Sequence, residues 1–241
     1  CLDFPPKSRP NINHILDNFL FYFYSMIKMT QVISLCQDFL NYLKLSSNLN
    51  HSDAQFYLGK IFYLGYYVPR DINKLIHYLT LAANQNHSGA QCFLGLIYYY
   101  GKYIPQNINK AIYYLKLAES HDNIDAKHFL GLIYYSGEFI QRDIKLSIHY
   151  FKETSCFYDN CAKNNLGIIY KNGDGVPKNI YNSIEYFEES IRQTGDDFSL
   201  YNLIRIYYFG IDIESDLTKT KELINKINNT DSIPLNLLLF Y

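Results

Sequence analysis

Apolar residues recur at helical spacing along most of this chain and predict a series of short amphipathic helices. In the segment 52–64 the apolar positions share one face of a helix, and they are Ala54, Leu58, Ile61 and Phe62. Gly65 follows at once, where a left-handed C-terminal cap suits glycine. A second amphipathic segment begins after Asp71, whose side chain can accept hydrogen bonds from the first turn of a helix. The pattern therefore predicts a helical hairpin.

This hairpin is written four times with a period of 36 residues. The copies begin at Leu58, Leu94, Leu130 and Leu166, and they read LGKIFYLGYYVPRDINKLIHYLTLAA, LGLIYYYGKYIPQNINKAIYYLKLAE, LGLIYYSGEFIQRDIKLSIHYFKET and LGIIYKNGDGVPKNIYNSIEYFEES. A fixed period of this size predicts an all-α, right-handed superhelical solenoid of helix-turn-helix repeats, because a single hairpin cannot bury both of its faces alone.

Each copy places a glycine inside its first helix, and these glycines are Gly59, Gly95, Gly131 and Gly167. Glycine costs about 1 kcal/mol against alanine in a helix interior, so its recurrence needs a physical reason. We predict that the second helix of each hairpin approaches closely at this point. The loop between the two helices carries one apolar residue, Val68 in the first copy, which is predicted to pack under the helix pair.

Weaker copies flank the four clear ones. The segment 39–47 matches a second helix at the same offset, and a fifth unit follows one inserted residue, with Ile204 in place of the internal glycine. We therefore divide the chain into a degenerate N-terminal repeat or cap (1–51), a repeat array of about five units (52–228) and the start of a further, truncated helix (229–241). The chain begins with Cys1 rather than Met, and both of its ends read as cut from something longer.

These residues resemble the Sel1-like repeat family, a relative of the tetratricopeptide repeats. The resemblance rests on the pattern A-x-x-x-L-G-x-x-Y-x-x-G, a V-P loop and a second helix with Y-x-x-x-A. It covers Ser52–Gly210 well and Met29–Asn50 in part. The resemblance implies an α/α superhelix that acts as a scaffold or adaptor between other proteins. Gln141 in place of the loop proline, Ile204 in place of the glycine and the absence of periodic cysteines depart from the family pattern.

The charge balance argues against nucleic acid as the partner. The chain has 22 basic and 23 acidic residues, a net charge of −1 and no basic run. Neutralisation of the phosphate backbone normally supplies most of the non-specific affinity for nucleic acid. RNA binding is the alternative function, because helical repeats can read RNA and tyrosines can stack on bases. We expect a protein or peptide partner and no nucleic acid.

The sequence contains no motif of a known catalytic, nucleotide-binding or zinc site, and we expect no enzyme activity, no cofactor and no metal. The carboxylates that lie close together are Glu188, Glu189, Asp196 and Asp197. Paired carboxylates can perform acid–base chemistry, but a solvated, charged helix end explains these four better.

The five cysteines do not follow the period, which favours free thiols in a reducing compartment. The most apolar N-terminal run, Ile15–Ile27, is shorter than the roughly 20 apolar residues that a membrane span needs. It also lacks the flanks of a signal peptide, so we expect it to be a helix packed against the next unit. These features favour a cytoplasmic location and no membrane span in this segment.

The resemblance places the first helices on a concave groove, where the positions that the apolar stripe leaves over can contact a partner. The residues that we assign to partner binding are Tyr63, Tyr99, Tyr100, Tyr135, Lys171 and Tyr208. Tyrosine offers a large rigid ring and one hydroxyl, and Lys171 could meet a partner carboxylate. The alternative is that the tyrosines at 63, 99 and 135 are half-buried packing between repeats, supplied by a composition with 25 tyrosines.

The C-terminal stretch IPLNLLLFY would leave apolar surface uncovered unless another helix followed it. We predict that the isolated chain self-associates through this end. Sedimentation over a wide concentration range should show a mass that rises with concentration, and a strictly monomeric mass throughout would contradict the prediction.

Overall fold

The computed structural model describes residues 29–65, 68–155 and 160–228, which form eleven α-helices and no β-strand. In chain order the helices are α1 (Met29–Asn48), α2 (Ser52–Leu64), α3 (Ile72–Asn84), α4 (Ser88–Tyr100), α5 (Ile108–Glu119), α6 (Ile124–Ser136), α7 (Ile144–Ser155), α8 (Asn160–Asn172), α9 (Ile180–Thr194), α10 (Asp197–Phe209) and α11 (Leu217–Asn228). The predicted helices at 15–27 and after 228 lie outside the described residues.

The chain divides into two compact units, Leu2–Ala126 and Lys127–Tyr241, each with its own helical hairpins. In the first unit α2 pairs with α3 and α4 pairs with α5. In the second unit α8 pairs with α9 and α10 pairs with α11. Ahead of the first hairpin, Leu40 and Leu43 of α1 pack against Ala54 and Leu58 of α2.

The glycine inside each first helix lies directly against a large side chain of the second helix. A Cβ atom added at Gly95 would lie 2.7 Å from Cγ of Leu115, and one added at Gly167 would lie 2.6 Å from Cε1 of Phe187. Real Cβ atoms essentially never come within 3.0 Å of such neighbours. The predicted close approach of the two helices is confirmed.

An aromatic pair closes the same interface one turn further on. The ring centroids lie 5.8 Å apart for Phe62–Tyr78, 5.9 Å for Tyr98–Tyr114, 6.2 Å for Tyr134–Tyr150 and 5.7 Å for Tyr170–Tyr186. Each pair is close to parallel. Stacking of this kind adds about 0.5–1.5 kcal/mol beyond the burial of apolar area. The periodic tyrosines of the second helices are therefore part of the hairpin core.

One residue of the loop forms hydrogen bonds to both helices of the hairpin. The backbone N–H of Asp71 donates to the carbonyl of Phe62 at 3.1 Å, and its carboxylate accepts from the N–H of Lys74 at 3.0 Å. The equivalent residues that make the same two bonds are Asn107, Asp143, Asn179 and Asp216. The predicted N-caps are confirmed, and each of them also ties the start of the second helix to the end of the first.

Two further predictions about the hairpin are confirmed. Gly65 is the C-cap of α2 with a φ of 73°, in the left-handed region that glycine tolerates best. Val68 of the loop packs against the buried core that includes Phe62 and Leu79. Ile104 and Val176 occupy the same place in their own hairpins.

In the fifth hairpin the two helices pack through different side chains. Ile204 stands where the other first helices have glycine, and it is buried against Leu223 and Ile224 of α11. Ile224 follows Phe187 by 37 residues, the offset that also relates Ile204 to Gly167. In place of the glycine–phenylalanine contact, Ile204 and Leu200 of α10 form a buried cluster against which Leu223 and Ile224 of α11 pack.

Candidate partner-binding surface

All six residues assigned to partner binding lie in the last turns of first helices, but their exposure differs. We call position 63 and its equivalents the ladder position, which comprises Tyr63, Tyr99, Tyr135, Lys171 and Tyr208. Tyr63, Tyr99 and Lys171 are half-buried, Tyr135 is buried at 6% exposure and Tyr208 is 42% exposed. Tyr100, which follows the ladder position on α4, is 52% exposed.

In the first unit, Tyr63 joins one hairpin to the next. Its ring meets Phe93 of α4 edge-to-face at 5.2 Å and Tyr103 of the following loop at 5.6 Å. These are contacts between consecutive repeats, which was the alternative that the sequence left open for this position. The half-buried ring leaves only part of its surface for a partner.

A side chain seven residues after the ladder position folds back onto the end of the first helix. Arg70 Nε donates to the carbonyl of Tyr63 at 2.8 Å, and Arg142 Nε donates to the carbonyl of Tyr135 at 2.9 Å. Gln106 and Ser215 donate in the same way to the carbonyls of Tyr99 and Tyr208. These bonds satisfy carbonyls that a helix C-terminus leaves without an intrahelical partner. Sequence reasoning missed them because the residue type changes from copy to copy.

The two arginines at this position also cover tyrosine rings. The guanidinium of Arg70 lies 6.0 Å from the ring centroid of Tyr63 and 5.6 Å from that of Tyr103. The guanidinium of Arg142 lies 5.1 Å from the ring centroid of Tyr135. Cations over aromatic faces are attracted by the ring quadrupole, so cation and ring hold each other in place. The ends of α2 and α6 thus present arginine side chains in fixed positions.

In the second unit, the hydroxyl of Tyr135 donates to Oδ2 of Asp174 at 2.7 Å, and Arg142 Nη2 lies 3.9 Å from the same oxygen. Burial and the neighbouring Asp174 carboxylate raise the pKa of Tyr135 above its usual range. Asp174 belongs to the loop of the next repeat, so Tyr135 also links consecutive repeats. No sequence pattern indicated this bond, because the residues equivalent to Asp174 differ.

Lys171 occupies the ladder position of α8 with a cation in place of the ring. Its Nζ donates to Oδ1 of Asn202 on α10 at 2.8 Å. Burial, and then the charge of the neighbouring Arg205, lower the pKa of Lys171. The Arg205 guanidinium lies 5.6 Å from the ring centroid of Tyr201 on the same helix. The sequence singled out Lys171 as a cationic spot but not its pairing with Arg205.

Two of the four clustered carboxylates of the second unit, Glu189 and Asp196, have structural partners. Glu189 lies 3.7 Å from Nζ of the buried Lys163. Asp196 is the N-cap of α10, where it accepts from the N–H of Ser199 and from Nδ2 of Asn164, both at 2.7 Å. Among the described residues, no group of His, Cys, Asp and Glu side chains has the arrangement to hold a metal ion. In the same part of the chain, no helix is long and apolar enough to cross a membrane.

Repeated helical hairpins with this contact pattern define an all-α repeat protein of the solenoid class, as predicted. The Sel1 repeat model matches residues 52–87, 88–123, 124–155 and 162–194, which together make up more than half of the chain. The chain therefore belongs to the Sel1 repeat family. The hairpin of α10 and α11 lies beyond these four matches.

Solved structures show the same fold at low sequence identity. A protective antigen of uropathogenic Escherichia coli with an SLR fold aligns at a TM-score of 0.74 and 24% identity, over 79% of this chain and 41% of its own. A Sel1 repeat protein from Oxalobacter formigenes aligns at 0.68 and 23%, over 76% and 75%. An immunity protein from Pseudomonas aeruginosa aligns at 0.51 and 17%, over 84% and 78%. The chain thus spans less than half the length of the first of these proteins.

No curated protein matches the sequence significantly. Sel1 repeat proteins are generally protein-interaction scaffolds built on a non-catalytic fold. The comparisons thus give the class of activity that this fold serves.

The Tyr135–Asp174 bond leads to a pH-dependent prediction. The folded chain holds the Tyr135 proton more tightly than the unfolded chain does. Its contribution to stability is therefore fully present below the unfolded-state pKa of about 10, and it is lost as the pH rises from there through the folded-state pKa. Tyr135→Phe should lower the free energy of unfolding by about 1 kcal/mol at pH 8, because the hydrogen bond is lost. It should also flatten the fall in stability above pH 10.

Urea denaturation between pH 8 and pH 11 measures both effects. Tyr113→Phe, at an exposed ring on α5, is the matched control and should change neither quantity. An unchanged alkaline slope in Tyr135→Phe would contradict the role given to this bond.

Proposed function

We propose that this chain is an interaction scaffold that binds a segment of another protein through the ends of its first helices. The observation that carries the proposal is a set of exposed aromatic rings in the last turns of α4 and α10. Tyr100, Tyr208 and Phe209 are 52%, 42% and 57% exposed. Exposed aromatic rings of this kind are typical anchors of protein interfaces.

These rings are already held before a partner arrives. Tyr100 meets Tyr99 edge-to-face at 5.3 Å, and Phe209 meets Tyr208 edge-to-face at 4.9 Å. Ordering a side chain on binding costs about 0.5–1.5 kcal/mol, so rings that are fixed in advance bind at lower cost. On α4 the half-buried Tyr99 supports the exposed Tyr100, and on α10 the two exposed rings support each other.

The residues assigned to partner binding take different roles in this proposal. In the first unit Tyr100 makes the main contact, and the accessible parts of Tyr63 and Tyr99 add to it. In the second unit Tyr208 makes the main contact, and the accessible part of Lys171 adds to it. Tyr135 is buried and acts by holding Arg142 at the surface. An extended or helical peptide segment, whose apolar side chains would pack on the rings, is the partner that fits this arrangement.

The experiment is a capture comparison in lysate of the native cell. The full chain is compared with a variant that carries Tyr100→Ala, Tyr208→Ala and Phe209→Ala, and each captured protein is identified by mass spectrometry. A partner that binds these rings should be captured by the parent chain and lost by the variant. The captured protein is then purified, and its Kd for the variant should rise by about tenfold or more, since interface aromatic anchors are worth at least 1–2 kcal/mol each.

The matched control carries Tyr113→Ala and Tyr181→Ala. These rings are 58% and 73% exposed, but they lie on the second helices α5 and α9. The control removes a similar exposed aromatic area from another face and should capture the partner as the parent does. Equal capture by the first-helix variant, with helicity unchanged by circular dichroism, would overturn the proposal.

A further inference from the structure

Two cations of the second unit lie side by side on consecutive first helices. Lys171 of α8 donates to Oδ1 of Asn202 on α10 at 2.8 Å. Arg205 follows Asn202 by three residues and therefore lies on the same side of α10. Its guanidinium rests 5.6 Å from the ring centroid of Tyr201. An amide and an aromatic ring thus hold two half-buried positive charges in fixed positions.

Neither cation has a carboxylate partner among the described residues, in contrast to four other basic residues of the same unit. Other basic side chains of the same unit are paired with an acid: Lys127 with Glu153 at 3.0 Å, Arg142 with Asp174 at 3.9 Å, Lys163 with Glu189 at 3.7 Å and Lys178 with Asp212 at 2.6 Å. Lys163 shows that this fold supplies a carboxylate where it buries an amine. At Lys171 it supplies an amide oxygen and a second cation instead.

Burial and the second cation both disfavour the charged form of Lys171, and an anion beside the pair would favour it. Partial burial removes water from the ammonium of Lys171, and the charge of Arg205 opposes its protonation, so the pKa of Lys171 is lowered. An anion placed between the two side chains would reverse both effects. The ammonium has three donors, of which Asn202 uses one, and the guanidinium has five. Most N–H donors of Lys171 and Arg205 therefore make no hydrogen bond to a described residue and can bind a ligand.

We propose that Lys171 and Arg205 form a binding site for a side-chain carboxylate in an acidic segment of the partner protein. This inference rests on the proposed function and gives that partner a chemical character. Tyr208 lies one turn beyond Arg205 on α10 and is 42% exposed, so an apolar side chain next to the carboxylate can pack on its ring. A carboxylate between an ammonium and a guanidinium makes charge-assisted hydrogen bonds, which are about twice as strong as neutral ones.

A carboxylate fits this site better than a polyanion does. Nucleic acids are bound by several cations that neutralise successive phosphates. In the same unit, the basic residues Arg142 and Lys178 are already paired with Asp174 and Asp212. Those carboxylates would repel a chain of phosphates but tolerate a single acidic side chain held at Lys171 and Arg205.

The test uses the full chain and a fluorescein-labelled decapeptide of glutamate, with a decapeptide of glutamine as the neutral probe. Binding is followed by fluorescence anisotropy at low salt. The parent chain should bind the glutamate peptide more tightly than the glutamine peptide. Lys171→Met and Arg205→Met should each raise the Kd for the glutamate peptide by about tenfold or more, as expected for the loss of hydrogen bonds to a charged group.

Lys145→Met is the matched control, because it removes the same charge from an exposed position on the second helix α7. It should change the Kd by less than about twofold, because an exposed charge on another helix contributes little to a local ion pair. Lys171→Arg keeps the charge and should retain most of the binding even if Lys171→Met perturbs packing. The double variant Lys171→Glu with Arg205→Glu should instead bind a decapeptide of lysine.

Three results would overturn the proposal. The parent chain could bind both peptides equally weakly, or Lys171→Met and Arg205→Met could leave binding of the glutamate peptide unchanged. Inorganic phosphate could also displace the peptide at far lower concentration than free glutamate does, which would assign the site to phosphate groups instead. The two experiments can also give different answers. If the glutamate peptide binds as expected but the Tyr100, Tyr208 and Phe209 variant captures the same proteins as the parent, the rings have no binding role and the carboxylate site is still supported. If capture depends on the rings but peptide binding does not depend on Lys171 and Arg205, only the carboxylate site is excluded.

Discussion

The close contact between a first-helix glycine and a large side chain of the second helix is the constraint on which each of the four glycine-containing hairpins depends. At Gly167 the Phe187 ring occupies the space that any side chain would need. This contact sets the distance between the helices, and that distance allows the ring pair Tyr170–Tyr186 to stack. It also brings the N-cap Asn179 within reach of the carbonyl of Tyr170. The core, the stacked rings and the loop therefore share one geometry.

The same geometry decides which side chains are left for function. One face of each first helix packs inside its own hairpin. The ladder position also contacts the next repeat, as Tyr63 and Tyr135 show. The surface that remains consists of the outer rings Tyr100, Tyr208 and Phe209 and of cations held by rings or amides. A scaffold that keeps its repeats fixed by internal contacts can vary these outer residues from copy to copy without disturbing the hairpin.

The parts of this structure that recur with the period could be predicted from the sequence, because each depends on residues within one hairpin. The glycine contact, the N-cap at Asp71 and the packing of Val68 are of this kind. The bonds between consecutive repeats could not be predicted, since their residue types change from copy to copy. Tyr135 donates a hydrogen bond to Asp174, whereas Lys171 donates one to Asn202, although both occupy the ladder position. The proximity of Arg205 to Lys171 likewise depends on how α8 and α10 pack, and the sequence alone did not indicate it.

A double-mutant cycle at Gly167 and Phe187 tests the central constraint most directly. Alanine is favoured over glycine in a helix interior by about 1 kcal/mol, so Gly167→Ala would stabilise the chain if the site were open. The contact predicts the opposite, a loss of about 1–3 kcal/mol from overpacking, and it predicts that most of this loss disappears in a Phe187→Ala background, where the space beside Gly167 is open. Urea denaturation followed by circular dichroism measures the four chains. Stabilisation by Gly167→Ala to the same extent in both backgrounds would contradict the account.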